Sequence, residues 1–167
     1  MSFDRPKELL KPVRRRFIYL SFALAILFDL LPLPGDMLLW LPDFIGLLIL
    51  YWVINQPRRV NIGTAFALGI VADVACTGMF GQHALAYSIT SYLALSRQRQ
   101  LVMFNLGQQT LAVLALMFAN QLIMVVARML TGAGFIGWTY FLPPLTGAIL
   151  WPLLTKLLLL PYRHHKV

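Results

Sequence analysis

The sequence predicts an all-α integral membrane protein, a bundle of six transmembrane helices with both termini in the cytoplasm. Its 167 residues are 59% hydrophobic and 12% charged, whereas soluble domains are about half apolar and about a quarter charged. Long apolar runs recur along the chain, and Lys and Arg fall in every second connection between them. We therefore expect one multi-pass membrane domain.

Apolar runs near the length that crosses a bilayer, about 20 residues in a helix, mark six predicted spans. They are residues 17–31, 37–54, 60–75, 82–95, 101–130 and 138–160. Pro42 and Asp43 interrupt the second span. The first run is expected to stay as an uncleaved anchor. The predicted organisation is a cytoplasmic tail 1–16, a membrane domain 17–160 and a cytoplasmic tail 161–167.

The basic residues support this topology, because Lys and Arg in short loops collect on the cytoplasmic side. The alternate connections contain neither residue. The net charge of +8 is divided among small clusters, which favours contact with anionic lipid over nucleic acid. These clusters are Arg14–Arg16, Arg58 with Arg59, Arg97 with Arg99, and Arg163 with Lys166.

Asp73 raises the question of what a carboxylate does inside a membrane span. An ionisable group there is costly and usually has a partner. One hypothesis is an ion pair with Arg128, which lies near the same end of the fifth span. Asp29 is a rival partner for Arg128, and Arg128 could instead snorkel to the headgroups. Alternatively, Asp73 accepts hydrogen bonds from backbone amides where the fourth span begins, after Gly81.

Small residues recur at intervals of four in the third span, at Ala65, Gly69 and Asp73. Such spacing lets a neighbouring helix approach closely. This pattern predicts that the third span is central and does not face lipid.

Amide side chains distinguish the fifth span. Asn120 and Gln121 lie well inside it, and Asn105, Gln108 and Gln109 lie nearer its cytoplasmic end. Amides in a membrane most often join helices. A ligand pocket, or a surface for a helix of another protein, remains an alternative for these residues.

No enzyme motif is present in the sequence. It has no GxSxG, no HExxH and no acid after Asp73, and its lone cysteine, Cys76, rules out a Cys-based metal framework. His83 is interpreted as a polar cap at the start of the fourth span, and His164 and His165 fall in the C-terminal tail. We predict a non-enzyme without cofactor or metal.

The segment LYWVINQPRRVNIGTAFALGIVADVACTGMFGQHALAYSI, residues 50–89, resembles the central signature of the bacterial rod shape-determining MreD family. Two further segments, PLPGDMLLWLPDF and ILWPLL, fit the same family more weakly. The positions that match the signature are Arg58, Arg59, Gly63, Gly69, Asp73, Gly81 and His83.

The resemblance implies a non-enzymatic part of the cell-elongation machinery in the bacterial cytoplasmic membrane. It implies association with MreC and, through the assembly, with MreB, RodZ, RodA and a class B penicillin-binding protein. It also implies a fold like the substrate-binding subunit of energy-coupling-factor vitamin transporters. The family offers no catalytic residues to transfer.

Three functional hypotheses follow. The leading one is a membrane scaffold that binds MreC and helps couple MreB filaments to peptidoglycan synthesis. The alternative is a small-molecule binding subunit of a transporter, with Asp73, Asn120 and Gln121 lining a pocket. An ion translocator built around Asp73 is disfavoured, because it would need ionisable groups along the whole path.

Overall fold

The computed structural model describes residues 14–31, 40–75, 80–132, 134 and 137–163, with the side chains of 160–163 excepted. Several sequence-based predictions fall outside these residues. They concern the tail 1–13, the connection 32–36, Cys76 and the turn that follows it, and the histidines of the C-terminal tail.

Every element in the described part of the chain is helical. The elements are α1 (Arg15–Asp29), α2 (Phe44–Asn55), α3 (Ile62–Ala75), α4 (Gln82–Ser96), α5 (Gln98–Met103), α6 (Leu106–Leu130), a 3-10 turn (Trp138–Phe141) and α7 (Leu142–Arg163). The C-terminal helix thus extends past Leu160, the predicted end of the last span.

The helices are compatible with a membrane protein. Among the described residues, two are long and apolar enough by themselves to cross a bilayer, Leu106–Leu130 and Trp138–Leu159. Phe44–Asn55 and Ile62–Ala75 are apolar but shorter. The six-span topology stays a prediction.

Helix α2 forms the centre of the molecule. Its residues from Ile45 to Ile54 are all buried, as expected for a helix that is hydrophobic on every side. Helix α1 packs along it, and the indole Nε1 of Trp52 donates to the Ser21 hydroxyl of α1 at 3.0 Å. Helices α3, α4, α5, α6 and α7 also contact α2.

Helix α3 is peripheral, so the prediction that the third span is central was wrong. Only its Ala65, Gly69, Ala72 and Asp73 are buried. Its opposite face is exposed, and Val74 is 60% accessible. The buried face packs closely on α4. Small residues at intervals of four allow one neighbouring helix to approach closely. They do not predict whether the other sides of the helix are also covered.

Apolar side chains cover much of the exterior. Large side chains are more than half exposed on the outer faces of several helices, among them Leu27, Val74, Leu111, Leu122, Ile149 and Leu153. Soluble monomers rarely expose extended apolar surface of this kind. The surface therefore fits a lipid environment, and the buried residues around α2 form the core.

The predicted fifth span is divided at Asn105. Helix α5 ends at Met103 and α6 begins at Leu106, because Asn105 and Gln108 form a capping box. The Asn105 side chain accepts from the Gln108 amide at 2.9 Å, and the Gln108 side chain accepts from the Asn105 amide at 3.3 Å. These two residues therefore do not join helices, contrary to the prediction. Gln109 does, because it accepts from Nε1 of Trp151 at 3.4 Å.

Candidate functional site

Polar side chains from five elements meet at one end of the bundle. The C-terminal end of α3 and the N-terminal ends of α2 and α4 come together there with the second half of α6 and the 3-10 turn. We call this group the polar cluster, and it consists of Asp43, Asp73, His83, Tyr87, Asn120, Gln121 and Tyr140. By the predicted topology, this is the extracytoplasmic end.

The carboxylate of Asp73 caps α4. One oxygen accepts from the amides of Gly81 at 2.9 Å and Ala84 at 3.3 Å, and the other accepts from the amide of His83 at 2.9 Å. The first amides of a helix have no partner within the helix, so a buried carboxylate satisfies them and complements the helix dipole. The backbone-capping hypothesis for Asp73 is confirmed.

His83 completes the capping arrangement through its side chain. Its Nδ1 lies 2.8 Å from the same oxygen of Asp73 that accepts its own amide. A carboxylate only accepts hydrogen bonds, which places the proton on Nδ1. Its ring also packs edge-on against Tyr87, with centroids 5.7 Å apart. The sequence placed His83 at this helix start but did not identify Asp73 as its partner.

Two glycines shape the junction between α3 and α4. A Cβ atom at Gly69 would overlap the Cα of Ala84, so glycine is required for the two helices to pack this closely. Gly81 precedes α4 with φ +93°, a conformation that glycine adopts without strain. The close approach predicted at Gly69 is present, and it brings Asp73 within reach of the α4 amides.

The ion pair predicted between Asp73 and Arg128 is absent from the described structure. Arg128 lies in the last turn of α6 with an exposed side chain, whereas the side chain of Asp73 is fully buried and paired with His83. The carboxylate of Asp73 is already hydrogen-bonded to backbone amides and to the His83 imidazole. Asp29, the rival partner for Arg128, instead accepts from the amide of Ile45 at 3.3 Å.

Tyr87, Tyr140 and Asp43 are the cluster residues that the sequence analysis missed. Asp43 enters that analysis only as an interruption of the second span. It is the N-cap of α2 and accepts from the amide of Gly46 at 2.7 Å. It also accepts from the Tyr87 hydroxyl at 2.7 Å and from Nδ2 of Asn120 at 3.3 Å. An Asp directly before an apolar run is a helix-start signal, and this signal could have identified the cap.

Asn120 and Gln121 join α6 to its neighbours. Asn120 is 2% exposed, donates to Asp43 and lies 3.4 Å from the Thr90 hydroxyl, which donates to its side-chain oxygen. Gln121 donates from Nε2 to the carbonyl of Tyr140 at 2.9 Å. The interpretation of these amides as groups that join helices therefore agrees with the structure.

A cavity of about 170 Å³ lies beside the cluster. The polar side chains lining it belong to Asp29, Asp43, His83, Tyr87 and Gln121. Asp73 and Asn120, predicted as pocket residues in the transporter alternative, do not line it and are buried in the hydrogen bonds described above. Most sites for drug-sized ligands have volumes of about 300–1,000 Å³, so this cavity is small for such a ligand.

The cluster is equipped for joining helices. In the part of the chain that the structure describes, no group of three or more His, Cys, Asp or Glu residues is arranged to hold a metal ion. The carboxylates of Asp43 and Asp73 each accept from at least two backbone or side-chain donors of other elements. The imidazole of His83 is oriented by Asp73, and no described serine, threonine or cysteine is bonded to it as a nucleophile.

The arginines around the ends of α1, α2 and α4 lie at the opposite end from the polar cluster. Arg58 and Arg59 follow α2 and line a second cavity together with Arg15 of α1. Arg97 and Arg99 are exposed at the junction of α4 and α5. That junction lies at the C-terminal end of α2, since the Gln98 side chain donates to the carbonyl of Ile54 at 2.9 Å. The predicted cytoplasmic connections around Arg58 and Arg97 thus share one end of the molecule with the start of α1.

Comparisons with known proteins agree on one family. The family model described as rod shape-determining protein MreD matches residues 12–160. A curated relative, the rod shape-determining protein MreD of Haemophilus influenzae strain Rd, is 30% identical over 137 residues, which cover 81% of this chain and 85% of the relative. No solved structure matches the chain.

Proposed function

Because the chain belongs to the MreD family of rod shape-determining proteins, we propose that it is a non-enzymatic scaffold of the cell-elongation machinery in the bacterial cytoplasmic membrane. The family match over residues 12–160 is the observation that carries this proposal. The geometry of the polar cluster adds to it, because its side chains are engaged in fixing helices to one another.

The proposed scaffold crosses the membrane six times. Asp73 bonded to the start of α4 and Asp43 bonded to α6 hold helix ends together at the extracytoplasmic side. The proposal puts Arg58, Arg59, Arg97 and Arg99 at the cytoplasmic side, because Lys and Arg in short loops of membrane proteins collect there. A fold like that of the vitamin-binding transporter subunits belongs to the same proposal.

MreC is the proposed direct partner, bound through its transmembrane helix. The outer faces of α6 and α7 offer apolar side chains for such a contact, including Leu122 at 55% and Leu153 at 63% exposure. MreB, RodZ, RodA and a class B penicillin-binding protein would associate through the assembly. This arrangement would link the cytoplasmic filament to peptidoglycan synthesis outside the membrane.

The deciding experiment for the scaffold combines depletion with complementation. Rod-shaped cells that lose the protein should become spherical, and the wild-type gene should restore rods. Tagged protein purified from these membranes in mild detergent should retain MreC. Cells that stay rod-shaped without the protein would refute the proposal. Recovery of an ATPase pair with its coupling subunit would instead identify a transporter component.

The cavity of about 170 Å³ supports a second candidate, a small-molecule binding subunit of a transporter. Its lining of Asp29, Asp43 and His83 would suit a compact ligand with hydrogen-bond donors. A vitamin panel tests this candidate, because a ligand bound to the native state raises the melting temperature by mass action. A panel without any shift would leave the scaffold as the better account.

A further inference from the structure

The second cavity, about 460 Å³ in volume, is a groove between α1 and α3. Helix α1 packs on α2 and α3 packs on α4, but α1 and α3 do not pack closely on each other. We call this cavity the α1–α3 groove. It opens on the outside of the bundle, away from the polar cluster.

Both walls of the groove follow helical periodicity. Helix α1 contributes Arg15, Ile18, Tyr19 and Phe22, and helix α3 contributes Thr64, Ala67, Leu68 and Val71. Each set repeats at intervals of three and four, which places it on one helix face. Seven residues of helix rise by about 10 Å, so the groove is long enough for a substantial part of an acyl chain.

The mouth of the groove is cationic, whereas its walls are apolar. Arg15 begins α1, and Arg58 and Arg59 precede α3, so the three guanidinium groups share the end at which both helices start. The N-terminal ends of helices add partial positive charge there. Deeper in the groove, Ile18 and Phe22 form a buried floor at 4% and 6% exposure, while Tyr19 stands 68% exposed at the side.

This division of charge matches one class of occupant. An anionic phospholipid has a phosphate for the guanidinium groups, which bind it by paired hydrogen bonds, and an acyl chain for the apolar walls. The arginines belong to predicted cytoplasmic segments, so the mouth lies at headgroup depth on the inner leaflet.

We infer that the α1–α3 groove is a binding site for one anionic phospholipid, with its phosphate at Arg15, Arg58 and Arg59 and an acyl chain between α1 and α3. This site goes beyond the scaffold role and beyond the general attraction of basic loops to acidic membranes. Its test uses purified protein, so the cellular test of the scaffold can fail without affecting it.

Native mass spectrometry of the full chain in mild detergent measures this binding directly. The probes are phosphatidylglycerol and phosphatidylcholine with identical acyl chains. Each basic residue near an anionic surface strengthens the binding of an anionic lipid roughly fivefold. Three arginines therefore predict that phosphatidylglycerol binds about tenfold to a hundredfold more tightly than phosphatidylcholine. Equal binding of the two lipids would overturn the inference.

Two pairs of variants test the location. R15Q/R58Q/R59Q removes charge at the mouth, and its matched control R97Q/R99Q removes charge from another part of the same end. A67F fills the groove without changing charge, and its control A115F places the same ring on the exposed face of α6. The preference should disappear in R15Q/R58Q/R59Q and A67F and persist in both controls.

Other outcomes each contradict the site. Equal loss in R97Q/R99Q would show diffuse electrostatic attraction, and full retention in A67F would show that no acyl chain enters the groove. If a photo-crosslinker at Val71 captures a protein helix in native membranes while the purified chain shows no lipid preference, the groove is a protein interface. Should the triple variant fail to fold, R15Q/R58Q and A67F decide the question.

Discussion

Asp73 shows how one buried carboxylate can hold two helices. It accepts from three backbone amides of the Gly81–Ala84 segment and from the His83 ring. Replacement by Ala leaves these donors unpaired, so we expect Asp73→Ala to lower the free energy of unfolding by about 2–4 kcal/mol. Asp73→Asn retains one acceptor oxygen and should lose less. Reversible denaturation in detergent measures both, and an unchanged Asp73→Ala variant would contradict the cap.

The separation of Asp73 from Arg128 gives a second prediction. Residues without a shared partner contribute additively to stability, and the exposed side chain of Arg128 has no described contact with Asp73. The double variant Asp73→Ala/Arg128→Ala should therefore lose the sum of the two single losses, to within about 0.5 kcal/mol. A combined loss of stability smaller than this sum, measured in the same denaturation assay, would support an ion pair between Asp73 and Arg128.

Gly69 is a test of backbone contact between α3 and α4. A methyl group there meets the backbone of Ala84, which cannot move without displacing α4. We expect Gly69→Ala to cost about 1–3 kcal/mol, as overpacking does elsewhere. Gly107→Ala is the matched control, because its Cβ would lie 3.7 Å from the nearest neighbour and alanine favours a helix. Equal melting temperatures for both variants would contradict the close approach.

At the scale of the element, α2 depends on groups outside itself for both of its ends. Asp43 caps its start and Gln98 binds the carbonyl of Ile54 near its end. The helix has 12 residues, about 18 Å, which is shorter than the hydrocarbon core of a bilayer, about 30 Å. Its terminal polar groups therefore need partners supplied by the protein.

Asp43→Ala should destabilise the protein by about 2–4 kcal/mol, because it removes the cap and leaves the Tyr87 hydroxyl and the Asn120 amide with one acceptor fewer. Asp43→Asn keeps an acceptor for the Gly46 amide and should lose about half as much. Thermal unfolding followed by circular dichroism gives the comparison. If Asp43→Ala melts at the wild-type temperature, the cap contributes nothing.

The sequence was informative about elements where the signal is local. Gly81 and Asp73 lie close together in the chain, and the cap at this position was one of the alternatives that the sequence left open for Asp73. The Asn105–Gln108 capping box is an equally local motif. It was not recognised because residues 101–130 form one nearly continuous apolar run, which was interpreted as a single span. The bonds of Asp43 with Tyr87 and Asn120 connect distant positions. No spacing rule predicts such partners, because tertiary packing selects them.

At the scale of the whole molecule, alternating loop charge predicts which connections face the cytoplasm. In a Cys76→Ser background, Ser96→Cys should be labelled by a membrane-impermeant maleimide only after spheroplasts are lysed. Gly134→Cys should be labelled in intact spheroplasts, because it lies in the connection before α7. Labelling of both positions in intact spheroplasts would contradict the six-span topology.

The basic end of the molecule and its central helix differ in how far the sequence could predict their positions. The basic end was expected from the clusters around Arg58 and Arg97, and the structure places these segments together. The position of α2 at the centre was not expected, since the polar signals drew attention to the third and fifth spans. A helix that is apolar on every side has no preferred face in the sequence. The sequence therefore does not predict which helices surround α2.

The enclosure of α2 also imposes an order in time. Synthesis delivers α2 to the membrane after α1 and before α4, α6 and α7, which later surround it. Exchanging lipid for protein around an apolar helix gains little hydrophobic free energy. Van der Waals packing and polar contacts therefore hold it in place. The polar contacts become available in chain order: Trp52 with Ser21 of α1, then Asp43 with Tyr87 of α4, and last Asp43 with Asn120 of α6. We therefore expect α2 to be bound first by α1 and last by α6.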